Sequence, residues 1–112
     1  MARVDAAVLM LGERVIARLE DFQPDMPWRR AWRLPWFVGR ITTTEAFREV
    51  EPLFRRELAL TESPEPLDAD EWQATWEQLW QRGVNLLLPD GSRFERDFAV
   101  HVYEDGTARF RY

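Results

Sequence analysis

The sequence predicts an α+β domain with three helices on one face of a mainly antiparallel four-stranded sheet, in the order α-β-α-α-β-β-β. Apolar residues recur at helical spacing in three segments before Gly83. The remaining residues instead form short β-rich stretches separated by Pro-Asp-Gly and Glu-Asp-Gly turns. A chain of 112 residues has the size of one domain, and no linker divides it. We therefore expect residues 1–112 to form a single domain.

The first helix is predicted over Val4–Phe22. Asp5 stands near its start, where a carboxylate can accept hydrogen bonds from free backbone N–H groups, and Pro24 follows its end. Spacings of three and four residues place its apolar side chains on one helical face. These side chains are Val4, Val8, Leu11, Val15, Leu19 and Phe22.

A strand over Trp36–Thr42 and a second helix are predicted next. The strand segment is rich in β-forming residues and follows a proline. The helix is expected to begin near Thr42 or Thr43, and Thr42 has the capping-box spacing to Glu45. Pro52 lies inside the helical pattern and has no N–H to donate, so we expect a kink or a split near Glu51.

The third helix has the clearest boundaries. Asp68 is predicted as its N-cap with Glu71 three residues later, and Gly83 is predicted as the left-handed residue after its end. Its apolar stripe has the spacing of a buried helical face. The stripe consists of Trp72, Trp76, Leu79 and Trp80.

The last residues are predicted to form a three-stranded meander, with strands at Val84–Leu88, Arg93–Tyr103 and Thr107–Tyr112. Glycine stands at the third position of both turns, which is typical of three-residue loops with a left-handed glycine. In the second hairpin such a loop pairs Val102 with Ala108, which brings the apolar residues onto one face. The strand predicted over Trp36–Thr42 is expected to join an edge of this meander.

No catalytic, cofactor-binding or metal-binding residue is predicted. The chain contains no cysteine, no glycine-rich phosphate loop and no nucleophile elbow. His101 is the only histidine, and the preferred register turns it away from the core, so we expect an exposed strand residue. Its neighbours on that face are Ala99, Tyr103, Arg109 and Arg111.

Charge is distributed unevenly along the chain. The net charge is −5, yet residues 43–81 hold ten acidic and three basic residues, a net of −7. The helices of this segment are therefore expected to present an acidic outer face, which could dock a basic partner. The residues predicted for this face are Glu45, Glu49, Asp70 and Glu77.

A second candidate surface is the segment WRRAWRLPW over residues 28–36. Arginine and tryptophan alternate in it, a pattern suited to internal cation–π packing, to a protein interface or to nucleic acid. The negative net charge argues against nucleic acid. The candidate binding residues here are Trp28, Arg29, Arg30, Trp32 and Arg33.

The leading functional hypothesis is a non-enzymatic protein-binding domain, in concrete form an immunity-protein or antitoxin-like inhibitor of a basic partner. The alternative is a small-molecule-binding domain or small enzyme with a tryptophan-lined pocket between helices and sheet, and the third is nucleic-acid binding through residues 28–36. All fifteen basic residues are arginine, which suggests a bacterial genome rich in GC. We also expect a cytoplasmic location without cofactor or membrane span, and the terminal strand is a candidate open edge for a homodimer.

Overall fold

A seven-stranded antiparallel sheet curls into a half-barrel and holds two α-helices, so the predicted fold of three helices on four strands is wrong. The computed structural model describes residues 6–24, 37–66 and 68–111. The strands are β1 (Ala6–Leu11), β2 (Arg14–Pro24), β3 (Phe37–Thr43), β4 (Val84–Leu87), β5 (Arg93–Phe94), β6 (Ala99–Val102) and β7 (Thr107–Arg111). The helices are a 3₁₀ helix (Glu45–Glu49), α1 (Glu51–Glu62) and α2 (Ala69–Gln81).

The predicted first helix is instead the hairpin β1–β2. Leu11 pairs with Arg14 across a two-residue turn, and Gly12 has a φ of +60° at the first turn position. A positive φ at that position is required by the turns that suit two-residue hairpins. The pattern was ambiguous because residues four apart share a face in a strand as well as in a helix. Val8 and Val15, assigned to the helical stripe, are only half-buried.

A bulge in β2 bends the sheet next to β3. The β2–β3 pairing shifts register between Glu20 and Gln23, and Asp21 within the bulge has a φ of +57°. Arg40 donates its Nε–H to Asp21 Oδ2 at 2.7 Å across this site. The bulge brings the β2 backbone so close to Gly39 that a Cβ there would lie 2.6 Å from the Glu20 carbonyl oxygen.

The second predicted helix is split where proline was expected to split it. The 3₁₀ helix ends at Glu49, and α1 begins at Glu51 with Pro52 in its first turn, where a missing N–H costs nothing. The predicted capping box is wrong, because Thr42 is still part of β3 and Thr44 is the N-cap residue. The Thr44 hydroxyl donates to the Val15 carbonyl at 2.8 Å and so anchors the 3₁₀ helix to β2.

The third predicted helix is confirmed as α2. Asp68 Oδ1 accepts a hydrogen bond from the Glu71 amide at 3.0 Å, and Gly83 has a φ of +101° just beyond the helix. Trp76 and Leu79 are fully buried, and Trp72 and Trp80 pack half-buried against the same core. The sequence thus correctly predicted both the capping residues and the apolar stripe.

The predicted meander is wrong, because the long strand is interrupted after Phe94. Residues 95–98 cross from β5 to β6, with Asp97 at a φ of +61°. The strand order is β5-β4-β1-β2-β3-β7-β6, so the two C-terminal hairpins lie at opposite edges of the sheet. The terminal strand β7 lies between β3 and β6 and is not an edge.

The predicted register of the last hairpin is confirmed. Val102 pairs with Ala108 and Val100 with Phe110, and Gly106 in the three-residue loop has a φ of +88°. The Gly106 carbonyl also accepts a hydrogen bond from the Ile41 amide at 2.9 Å. This bond fixes the loop against β3.

The helix pair spans the open side of the half-barrel. α1 contacts α2 and the edge strand β6, while α2 contacts β4 near the other edge. Trp76 lies at the centre of this packing, with its ring centroid 5.8 Å from Phe54 and 5.7 Å from Phe98. On the sheet, Phe22 meets Phe110 edge to face at 4.5 Å. The core is therefore shared by both helices and the concave face of the sheet.

Replacing Gly39 with alanine is expected to destabilise the fold. The added Cβ would collide with backbone atoms of the bulge, which cannot move without breaking the β2–β3 pairing. We expect a loss of about 1–3 kcal/mol in the free energy of unfolding, measured by urea denaturation. Gly91→Ala is the control, because its Cβ would meet nothing within 4 Å and only the positive φ would cost energy. A Gly39→Ala protein as stable as the wild type would contradict the close approach.

Candidate functional site

A single carboxylate lies at the centre of the helix packing. Glu57 of α1 is fully buried, and its Oε2 accepts a hydrogen bond from Trp72 Nε1 at 2.8 Å. Trp76 Nε1 lies 3.4 Å from the same oxygen, and His101 Nδ1 lies 2.7 Å from it. A buried carboxylate is tolerated only where donors replace its lost water. Here the two indole donors come from α2, and the imidazole of β6 adds a contact at ion-pair distance.

The two tryptophans reach this carboxylate because of their spacing. Trp72 and Trp76 are four residues apart on α2, so their side chains lie above one another on one face of the helix. On α1, the Thr61 hydroxyl lies one turn after Glu57 and donates to the Glu57 carbonyl at 2.9 Å. The arrangement orders both helices around one oxygen atom.

The prediction that His101 is exposed is wrong. His101 is only 6% exposed. The strand register that turns its side chain away from the predicted core is nevertheless correct. The reason for the burial is that α1 packs against β6 and places the buried Glu57 carboxylate 2.7 Å from the imidazole. Ala99 on the same face is also buried, while Arg109 and Arg111 on the neighbouring strand are exposed as expected.

A groove runs along another face of α1. Two cavities of about 310 and 490 Å³ adjoin each other and share four lining residues, which are Arg55, Val102, Tyr103 and Glu104. We call the combined feature the α1 groove. Its α1 residues extend from Glu51 to Glu62, a distance of about 16 Å at the rise of an α-helix. The loop between β6 and β7 forms the opposite wall.

The floor of the α1 groove is apolar. Phe47 and Phe54 are almost fully buried beneath it, with their ring centroids 5.3 Å apart. The other apolar lining residues come from β3, α1 and β6, and they are Ile41, Leu58, Ala59 and Val102. Such a floor favours a ligand with some apolar surface.

The rim of the α1 groove is acidic. Four carboxylates line it, and they are Glu51, Glu62, Glu104 and Asp105. Arg55 is the single cation among the described lining residues. Its Nη2 lies 3.7 Å from Glu51 Oε2, and its side chain is 66% exposed. The groove therefore has an excess of negative charge over an apolar floor.

Tyr103 lies between the two cavities. Burial raises the pKa of its hydroxyl, as do the nearby carboxylates of Glu62 and Glu57, while Arg109 opposes the shift. The phenol is therefore neutral at physiological pH. It offers a ring face and a hydroxyl to a ligand but no charge.

The residues predicted for the acidic helical face do not form one cluster. Glu49 on the 3₁₀ helix binds the guanidinium of Arg14 at 2.6 and 3.0 Å, and this hydrogen bonding lowers the pKa of Glu49. Glu77 on α2 accepts from Arg96 at 2.7 Å. Glu45 and Asp70 are exposed, one on the 3₁₀ helix and the other in the first turn of α2. Two of the four predicted charges are thus compensated by arginines from other elements.

The other predicted binding residues lie outside the described residues. These are Trp28, Arg29, Arg30, Trp32 and Arg33. The hypothesis that they form an interface stays a prediction.

The tryptophan-lined pocket of the alternative hypothesis corresponds to a small cavity between α2 and the last two strands. It has a volume of about 220 Å³ and is lined by Trp72, Trp80, Phe98 and Arg111, among others. Ligand pockets commonly measure about 300–1,000 Å³, so this cavity could hold only a small molecule. Among the described residues, no group of three or more His, Cys, Asp and Glu side chains could hold a metal ion.

Sequence reasoning missed the α1 groove. Glu62, Glu104 and Arg55 were not singled out, because they are far apart in sequence and nothing in the pattern shows that α1 packs beside β6. The one available signal was the spacing of Glu51, Arg55 and Glu62, which places all three on one face of a helix.

A scan against protein-family models finds no match, and searches of curated proteins and of solved structures find no similar protein. In the described ranges, neither helix is long and apolar enough to cross a membrane.

Replacing His101 with alanine is expected to cost about 3–5 kcal/mol in the free energy of unfolding, because it leaves the buried Glu57 carboxylate without its closest partner on β6. Urea denaturation followed by tryptophan fluorescence would measure the loss. Arg18→Ala is the control, an exposed strand residue whose replacement should change stability by about 0.5 kcal/mol or less. An equally small loss for His101→Ala would show that the contact contributes little.

The loop of the last hairpin should contribute a pH-dependent stability. The Thr107 hydroxyl and amide donate to Asp105 Oδ1 at 2.6 and 2.9 Å, and they lower the pKa of Asp105 below its ordinary value of 3.8. A lowered pKa stabilises the fold above the ordinary value, and that contribution is lost as the pH falls through the lowered one. We expect Asp105→Asn to be less stable than wild type at neutral pH, with the difference shrinking below about pH 4. Urea denaturation at several pH values tests this, and a difference independent of pH would contradict it.

Proposed function

We propose that this chain is a non-enzymatic binding protein that holds a basic segment of another protein in the α1 groove. In its concrete form it masks a basic protein, as an immunity protein or antitoxin does. The observation that supports this most directly is the combination of four rim carboxylates with one loosely paired arginine over an apolar floor. Opposite potentials speed association, and apolar contact then slows dissociation.

The dimensions of the groove suit a peptide segment. A length of about 16 Å accommodates roughly five residues of extended chain. Lysine and arginine side chains have apolar stems and charged ends, so they can cover an apolar floor while their charges reach an acidic rim. Arginine fits best, because its planar guanidinium also stacks on an aromatic ring such as that of Tyr103.

The α1 groove is favoured over the acidic face first predicted from sequence. Glu49 and Glu77 already pair with Arg14 and Arg96, and a partner would have to displace those arginines. By contrast, no described arginine other than Arg55 lines the α1 groove. The groove therefore keeps an excess of carboxylates over cations even with Arg109 beside Tyr103.

The two other hypotheses have weaker support. A small-molecule site between Trp72 and Trp80 would have to use a cavity of about 220 Å³. Nucleic-acid binding through residues 28–36 must overcome a net charge of −5. A bacterial origin and a cytoplasmic location stay predictions from composition.

Neutralising two carboxylates of the groove rim should weaken capture of the partner. We would immobilise the wild-type chain and a Glu62→Gln/Glu104→Gln variant, and apply lysate of the native host at low and moderate salt. We expect a basic partner in stoichiometric amount on the wild type, released as salt rises, with an association rate at least about tenfold lower for the variant.

The matched control is Glu13→Gln/Glu95→Gln, which removes the same charge from two exposed residues outside both cavities. This control should bind as the wild type does. Equal binding by all three proteins would refute the α1 groove as the docking site, and a wild-type chain that retains no protein at low salt would refute the proposed function.

A further inference from the structure

Arg55 occupies a particular position in the α1 groove. It is the one charged residue of α1 that lines both cavities, so a segment lying along the whole groove must pass it. Its guanidinium adds positive charge at the centre of a rim that is otherwise acidic. A basic ligand would meet repulsion where the two cavities join.

Arg55 is also held more loosely than the other described arginines with ion pairs. Its distance to Glu51 is 3.7 Å, whereas Arg14, Arg56 and Arg96 lie within 2.6–2.7 Å of their carboxylates. The pair lies within one helix at spacing four, a geometry that stabilises weakly when exposed. Moving the Arg55 side chain therefore costs little.

From these two observations we propose that Arg55 is a built-in competitor, which occupies the acidic groove in the free protein and is displaced by an arginine of the partner. The inference rests on the proposed function, since it concerns the same groove. It adds that the groove is selective for arginine-bearing segments that can replace Arg55 against the rim carboxylates and Tyr103.

The competition has a clear chemical basis. A partner arginine would take over the contact of Arg55 with Glu51 and would find Glu62 and Glu104 on the same rim. The displaced Arg55 side chain is already 66% exposed, so its charge can turn into water. The cost of this exchange lowers the affinity of the wild-type chain below what the acidic rim alone would give.

The test measures binding of a fluorescein-labelled penta-arginine peptide by fluorescence anisotropy at low ionic strength. We expect Arg55→Gln to bind the peptide about two- to fivefold more tightly than the wild type. Arg55→Lys keeps the charge and should stay within about twofold of the wild type. The difference should vanish at high salt, because the competition is electrostatic.

The matched control is Arg56→Gln. It makes the same charge change at the next residue, but Arg56 pairs with Glu71 and lines neither cavity. An increase in peptide affinity that is larger for Arg55→Gln than for Arg56→Gln supports the proposed role of Arg55 as a competitor. Equal increases overturn that role, because the change in net charge would then explain both.

Failure of the inference and failure of the proposed function give different results. One outcome is that the peptide binds the wild type and that Glu62→Gln/Glu104→Gln weakens this binding, while Arg55→Gln gives no specific increase in affinity. In that case only the proposed role of Arg55 is overturned. If the peptide binds neither the wild type nor Arg55→Gln, both are overturned. Circular dichroism and thermal unfolding of each variant confirm that the compared proteins are folded.

Discussion

The buried carboxylate of Glu57 is the constraint on which the arrangement of this fold depends. Removing a carboxylate from water is costly, and the cost is offset only if donors converge on it. Two indole N–H groups of α2 donate to its Oε2, and the imidazole of His101 on β6 lies within ion-pair distance of the same oxygen. Because these contacts come from α2 and β6, they constrain the position of α1 against both elements. The contact therefore sets where the helix pair lies against the edge of the sheet.

The α1 groove follows from that placement. When one face of α1 turns its carboxylate towards α2 and β6, another face, with Glu51, Arg55 and Glu62, is left beside the loop of the last hairpin. The loop is itself fixed to β3 through the bond between Ile41 and Gly106. Both walls of the groove are thus anchored to the core, which favours a preformed site over one that must be ordered on binding.

Ion pairing decides which part of an acidic protein remains available to a partner. Arginines from β2 and from the segment after β5 compensate Glu49 and Glu77, and Arg56 compensates Glu71. At the α1 groove one loosely paired arginine faces four carboxylates. A count of charges along the chain cannot show this, because the arginines that neutralise these carboxylates lie at least 15 residues away in sequence. A basic partner is expected to dock where arginines leave the carboxylates incompletely paired.

Sequence signals were sufficient to predict element boundaries and loop register where a residue affects only the few residues next to it in the chain. Asp68 and Gly83 define the ends of α2, Pro52 defines the start of α1, and Gly106 defines the loop register, since each effect spans only a few residues. Tertiary packing decided the rest. Apolar residues four apart suited both a helix and the β1–β2 hairpin, and only pairing with β4 and β3 selected strands. Likewise, the strand register showed which way His101 points. Whether that side faces water or Glu57 depended on a helix some 40 residues away in sequence, whose position no local pattern encodes.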